Sequence, residues 1–257
     1  MEVIVQPDAA AAAKMTARLI ADAINAKPRF NLGLATGATM EPVYAELAAM
    51  NRRNEVDFSR VSTFNLDEYI GLPPEDKNSY RYYMNYHLFD KINIDKKNTN
   101  LPDGMAADEV AEGIRYEAAM KQAGGIDLQL LGIGSDGHIG FNEPLSSFAS
   151  RTRAKPLTPA TYRQNSVYFD PPETMPMRAF TMGVEVSKCR VTERKGDKMR
   201  EGVMEKPDRR GRSIQSLCNS QHTTEAGPQP GLPSSHAELE WRDQDLEIGR
   251  ASCRERV

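Results

Sequence analysis

Hydrophobic positions recur along the first 186 residues with two alternating periods, and the switches between them lay out a series of strands and helices. Glu2–Val5 reads as a short strand. The Ala-rich stretch from Asp8 to Ala26 reads as a helix with apolar positions at Met15, Leu19, Ile20 and Ile24. Phe30–Ala35 predicts a second strand, Thr36-Gly37-Ala38-Thr39 a turn and Glu41–Arg52 a helix, after which Val61–Leu66 reads as a strand rich in β-branched and aromatic residues. Helical patterns return at Ser79–Phe89 and Ala106–Ala123. Ile126–Gly132 is the most apolar strand and is expected at the centre of a sheet covered on both faces. Strands separated by helices of this length imply right-handed crossovers, and therefore a Rossmann-like, three-layer α/β fold with a mainly parallel sheet and helices on both faces.

The pattern stops after Val186. Ile, Leu, Val, Phe, Tyr and Trp make up 26% of residues 1–186 but 14% of residues 187–257, whereas charged residues reach 37% of the latter. Few apolar and many charged positions cannot repay the entropy of ordering a chain, so residues 187–257 are expected to be a disordered or chimeric tail beside a domain at 1–186, with the C-terminal part of the fold missing or replaced. Glu247–Val257 resembles the translation of a sequencing-library adapter, which implies chimeric or frame-shifted sequence there. Resequencing of the genomic locus is expected to return different codons; the same eleven codons in the genome would remove this reading.

Charge and cysteine content narrow the function classes. A formal net charge of −3 gives no general attraction to nucleic acid or to an acidic membrane. No apolar run approaches the roughly 20 residues of a spanning helix, no leader pattern opens the chain, and the three Cys show neither metal nor disulfide spacing, which places the expectation in the reduced cytoplasm without membrane or nucleic-acid partners.

In a parallel α/β sheet, ligands bind beyond the carboxyl ends of the strands. This rule singles out three loops: the turn Thr36–Thr39, the pair Asp67-Glu68, and the segment Ser135-Asp136-Gly137-His138. A Thr-Gly turn ahead of a helix is either a plain capped bend or an anion seat in which free N–H groups and the positive helix end face a phosphate. Asp67-Glu68 taken alone reads as a solvated turn, and a single His as a surface residue. Asp136, His138 and Glu143 together read differently, because carboxylates flanking an imidazole orient it and equip it for proton transfer near neutral pH. With one imidazole and no neighbouring Cys, acid–base chemistry is favoured over a metal site, and neither metal nor cofactor is expected.

At these loops the chain resembles glucosamine-6-phosphate deaminase. The resemblance is carried by LATGATMEPVY at Leu34–Tyr44, FNLDEYIGLP at Phe64–Pro73, GIGSDGHIGFNEP at Gly132–Pro144, SSFASRTRAKPLT at Ser146–Thr158 and NSVYFD at Asn165–Asp170. The neighbouring 6-phosphogluconolactonases share the GxGxDGH core but typically continue into Leu-Phe-Pro, where this chain has Phe141-Asn142-Glu143-Pro144. The resemblance implies conversion of glucosamine 6-phosphate and water into fructose 6-phosphate and ammonia. It assigns Asp67 as the base that carries a proton from C2 to C1 and His138 as the group assisting ring opening. Asp136 and Glu143 are then its carboxylate partners, and Thr36, Gly37, Ala38 and Thr39 form the phosphate loop. It further implies a homo-oligomer, hexameric in several members, with Ser146, Arg153 and Lys155 where those enzymes hold an allosteric phosphate; a plain ion-paired loop is the alternative for these three.

Departures from the family pattern bear on phosphate binding. Ala38 and Met40 replace a small residue and a Pro of the phosphate loop. Val167 stands where members commonly carry an Arg, with Arg163 as a candidate replacement, and the family's phosphate-binding Lys is expected beyond Val186. Two alternatives therefore stay beside the deaminase: a non-catalytic sugar-phosphate-binding protein and a lactonase-like hydrolase.

Overall fold

The computed structural model describes residues 3–187, apart from 28, 135 and 136. Helix α1 (Ala9–Asn25) begins where Asp8 accepts a hydrogen bond from the Ala11 N–H at 2.7 Å, and it buries Ala13, Ala17, Ile20, Ala21 and Ile24, one stripe at helical spacing. Strand β1 (Phe30–Leu34) follows, then α2 (Glu41–Arg52), β2 (Val61–Asn65), β3 (Asp67–Tyr69), α3 (Tyr80–His87), β4 (Thr99–Asn100), α4 (Glu109–Gln122) and β5 (Leu128–Gln129). The remaining elements are β6 (Arg153–Pro156), α5 (Pro159–Ser166), β7 (Arg178–Thr181) and α6 (Val184–Ser187). Helices α3, α4 and α5 start at Ser79, Asp108 and Thr158, each of whose side chains accepts from a first-turn N–H.

The strands form two sheets. Four parallel strands run in the order β4-β2-β1-β5, and three antiparallel strands in the order β3-β7-β6. Leu66 is the switch between them: its N–H donates to the Leu34 carbonyl at 3.0 Å, and its own carbonyl accepts from the Met182 N–H at 2.7 Å. One residue later the chain has left β1 and paired with β7. The main core joins Leu32, Leu34 and Phe64 of the parallel sheet to Ile20, Tyr44, Leu47 and Tyr116 of the helices, with the Tyr116 ring edge-on to Phe64 at 6.2 Å. A smaller cluster of Tyr69, Phe141, Phe169, Met175 and Ala179 lies under the antiparallel sheet.

Three expectations are corrected. Residues 3–5 form no strand: Val3 and Val5 are exposed, and nothing among the described residues pairs with them. Glu2 lies outside the described residues. Of the apolar run Ile126–Gly132, expected as a covered central strand, only Leu128–Gln129 is strand; it is half-buried and, among the described residues, pairs with β1 alone. Apolarity reports that a side chain meets other apolar groups, not how many strands flank it. Finally, Asp67-Glu68 is no loop but part of β3, because β7, remote in sequence, supplies its ladder. The expected boundary near residue 186 falls within α6, and the tail expected at 187–257 lies, but for Ser187, outside the described residues.

Candidate active site

The short strand β3 alternates its side chains across two environments, as any strand must. Asp67 is 6% exposed, opposite Thr181 in the ladder, and Glu68 is 3% exposed on the other side. Burial, and secondarily the neighbouring Glu68, pushes the Asp67 carboxyl up to about 8. Glu68 is held by three backbone donors: Oε1 accepts from the N–H groups of Tyr69 and Tyr80, and Oε2 from that of Arg81, each at 2.9 Å. It thereby binds the orphan N–H groups at the start of α3. Burial still raises it to about 7, against the pull of those donors. The solvated turn expected of this pair is thus replaced by two buried carboxyl groups, Glu68 aimed at a helix start and Asp67 on the opposite side of the strand.

The glycine-rich loop after β5 brings His138 and Glu143 together. The His138 Nδ1 is 3.6 Å from Glu143 Oε2. The other Glu143 oxygen, Oε1, accepts from the hydroxyls of Thr161 at 2.6 Å and Thr158 at 3.1 Å, so the first turn of α5 fixes the carboxylate that faces the imidazole. Gly134 gives His138 its seat: a Cβ there would stand 2.4 Å from the imidazole carbon and nitrogen atoms. Gly140, at φ 58°, turns the loop over Asp67, since a Cβ built on it would lie 3.3 Å from Asp67 Oδ2 and 2.9 Å from Thr181 Oγ1. Asp136, the other carboxylate expected beside His138, lies outside the described residues.

Tyr80 lies between the expected phosphate loop and this pair of groups. Its buried phenol is raised well above its ordinary value by desolvation, and its ring lies 4.8 Å from that of Tyr69 and stacks on Phe141 at 6.4 Å. Tyr83 donates to the Gly37 carbonyl at 2.8 Å. Gly37, Ala38 and Thr39 are exposed just ahead of α2, with Thr36 half-buried. Tyr69, Tyr80, Thr158, Thr161 and Thr181 were not legible as site residues. Thr158-Pro159 is a helix-start signal, but no spacing shows that the helix it starts would hold Glu143.

The remaining candidates sit apart. Arg153 and Lys155 are two residues apart on β6 and share a face, while Ser146 closes a turn by donating its N–H to the Glu143 carbonyl. Among the described residues no hydrogen bond or ion pair joins Ser146 to either cation. Val167 is an exposed cap of α5, and Arg163 is exposed in its last turn. The position expected for a phosphate-binding Lys lies outside the described residues. Among the described residues, no group of three or more His, Cys, Asp or Glu is arranged to hold a metal ion.

Residues 6–153 match the family model described as glucosamine-6-phosphate isomerases/6-phosphogluconolactonase. The glucosamine-6-phosphate deaminase of Cellvibrio japonicus is 52% identical over 184 residues, covering 72% of this chain and 70% of that protein. The enzyme of the same name from Shouchella clausii is 52% identical over 169 residues, 66% of this chain and 68% of its own length. Among solved structures, a monomeric glucosamine-6-phosphate deaminase superposes with a TM-score of 0.71 at 41% identity over 72% of this chain and 77% of its own. A 6-phosphogluconolactonase from Thermotoga maritima superposes at 0.52 with 20% identity, covering 68% of this chain and 74% of its own, which is a likeness of fold alone.

Proposed function

The chain belongs to the glucosamine-6-phosphate isomerase/6-phosphogluconolactonase family, and from that premise we propose that it is a glucosamine-6-phosphate deaminase. The reaction takes glucosamine 6-phosphate and water to fructose 6-phosphate and ammonia, a C–N hydrolysis coupled to isomerisation. His138, oriented by Glu143, moves the proton that opens the pyranose ring. Asp67 then takes the C2 proton, leaving an enediol-like species, and returns it to C1. The resulting C2 imine adds water, and ammonia leaves from the carbinolamine. Thr36, Gly37, Ala38 and Thr39 seat the phosphate against the start of α2, with Tyr83 holding that turn through the Gly37 carbonyl. Asp136 is retained as a second carboxylate partner of His138.

The observation that carries this reading is the environment of Asp67. Moving one proton between adjacent carbons requires a base that keeps the proton it has taken and does not lose it to water. A carboxyl 6% exposed and raised to about 8 meets that requirement. Lactone hydrolysis has no such carbon-to-carbon step, and a binding protein has no need of a costly buried carboxylate. The homo-oligomer implied by the resemblance stands beside a solved relative described as monomeric. The proposed site of action is the cytoplasm; no helix among the described residues is long and apolar enough to cross a membrane.

The test is ammonia release from glucosamine 6-phosphate by the full chain, followed across pH. A base must be ionised to act, so kcat/KM is expected to rise from pH 6 and to level off above the Asp67 value of about 8. Hydrolysis of the phosphogluconolactone without ammonia release would favour the lactonase, and binding without turnover the non-catalytic alternative.

A further inference from the structure

Asp67 and His138 come from different parts of the chain, and proton transfer tolerates little error in their relative position. The end of β7 supplies the connection. The Met182 N–H donates to the Leu66 carbonyl at 2.7 Å, next to Asp67, while the Met182 carbonyl accepts from Asn142 Nδ2, also at 2.7 Å. A single residue therefore touches the base strand on one side and the His138–Glu143 loop on the other. Thr181 adds a second tie: its hydroxyl oxygen accepts from the Phe141 N–H at 3.1 Å inside the protein, and its backbone is paired with Asp67. The turn it holds, Ile139–Asn142, is closed by the Asn142 N–H donating to the Ile139 carbonyl at 3.1 Å, and Gly140 in that turn faces both Thr181 Oγ1 and Asp67 Oδ2. Thr181 is fully buried and Asn142 5% exposed, so water is a poor substitute for either contact.

We infer that Thr181 and Asn142 are positioning residues that lock the loop carrying His138 and Glu143 onto the strand carrying Asp67. Neither has to touch substrate: both act by fixing the separation between base and imidazole. The inference rests on the deaminase reading for the identity of the reaction. Because Tyr83 holds the phosphate turn through the Gly37 carbonyl, outside the clamp, loosening the clamp changes the chemical step and leaves substrate binding in place.

Thr181→Val keeps the shape and removes the acceptor for Phe141; Thr181→Ser keeps the acceptor. In full-length protein, assayed well below the thermal midpoint of each variant, Thr181→Val is expected to lower kcat by about 10- to 100-fold with KM within about threefold of wild type. Thr181→Ser is expected to restore most of kcat, which a general packing defect would not do. Asn142→Ala should show the same kcat-over-KM split. Amide exchange gives a readout free of turnover: the Phe141 N–H should lose protection in Thr181→Val and keep it in Thr181→Ser. The inference is overturned if Thr181→Val matches wild-type kcat, if Ser is as impaired as Val, or if the loss falls on KM alone. A wild-type chain that releases no ammonia removes the deaminase reading and the positioning role with it; active wild type with unimpaired Thr181→Val removes the positioning role alone.

Discussion

Asp67→Asn is expected to lower kcat for ammonia release by about 10²- to 10⁴-fold, the usual contribution of a positioned proton-transfer group, while its stability relative to wild type improves as pH rises. The amide keeps the shape of the carboxyl but cannot accept the C2 proton. The stability effect has a definite sign. In the unfolded chain Asp67 ionises near the ordinary value of 3.8, whereas in the folded protein burial and Glu68 hold the proton until about 8. Between these values the folded state binds more protons than the unfolded one, so folding takes up a proton and the wild type loses stability as pH rises through that window. The variant has no such group. The difference in thermal midpoint, variant minus wild type, should therefore increase from pH 5 to pH 9. A difference independent of pH would mean that Asp67 is not buried against its own ionisation, and undiminished turnover would remove it as the base.

His138→Gln and Gly134→Ala are expected to fall together, each losing about 10²-fold or more in kcat. The first deletes the imidazole. The second deletes no side chain but adds a methyl group where the imidazole lies, since a Cβ at residue 134 would approach the ring to 2.4 Å. The ring must then leave its seat and its 3.6 Å approach to Glu143. Steady-state kinetics on both variants, with Gly134→Ser as a larger test of the same clash, measures this. Wild-type kcat in Gly134→Ala would show that His138 is free to move without consequence and would withdraw its assigned role in ring opening.

Much of the architecture was legible because it is written in contiguous residues. The Ala-rich run from Asp8 with Ile20 and Ile24, and the pattern at Glu41–Arg52, each determine a helix from neighbours in sequence, although Leu19 is exposed and Ala13, Ala17 and Ala21 complete the buried face instead. The candidate chemistry was legible at the same level: Asp67, His138, Glu143 and the turn at Thr36–Thr39 stand out by type, spacing and family resemblance. The strand at Asp67–Tyr69 was not legible, since three residues carry no periodicity and their ladder comes from β7. The shortness of β5, and its pairing with β1 alone among the described residues, escaped for a related reason, because an apolar run of Ile126, Leu128, Leu130 and Leu131 has the same appearance whatever the number of strands beside it.

The sequence by itself determined the alternation of helix and strand, the family, and which side chains are able to move protons. Only the tertiary structure decided which of two adjacent carboxylates is tied to a helix start and which faces the loop, how high burial drives the Asp67 proton affinity, and that Thr158 and Thr161 hold Glu143 while Thr181 and Asn142 tie its loop to the end of β7. The division has a physical cause. Helical and extended periods and their caps arise from interactions between residues a few positions apart, which a linear reading contains. Desolvation of a carboxyl, and the hydrogen bonds that aim an imidazole, depend on what the folded chain brings next to it, and for Asp67 and His138 those neighbours come from β7 and α5.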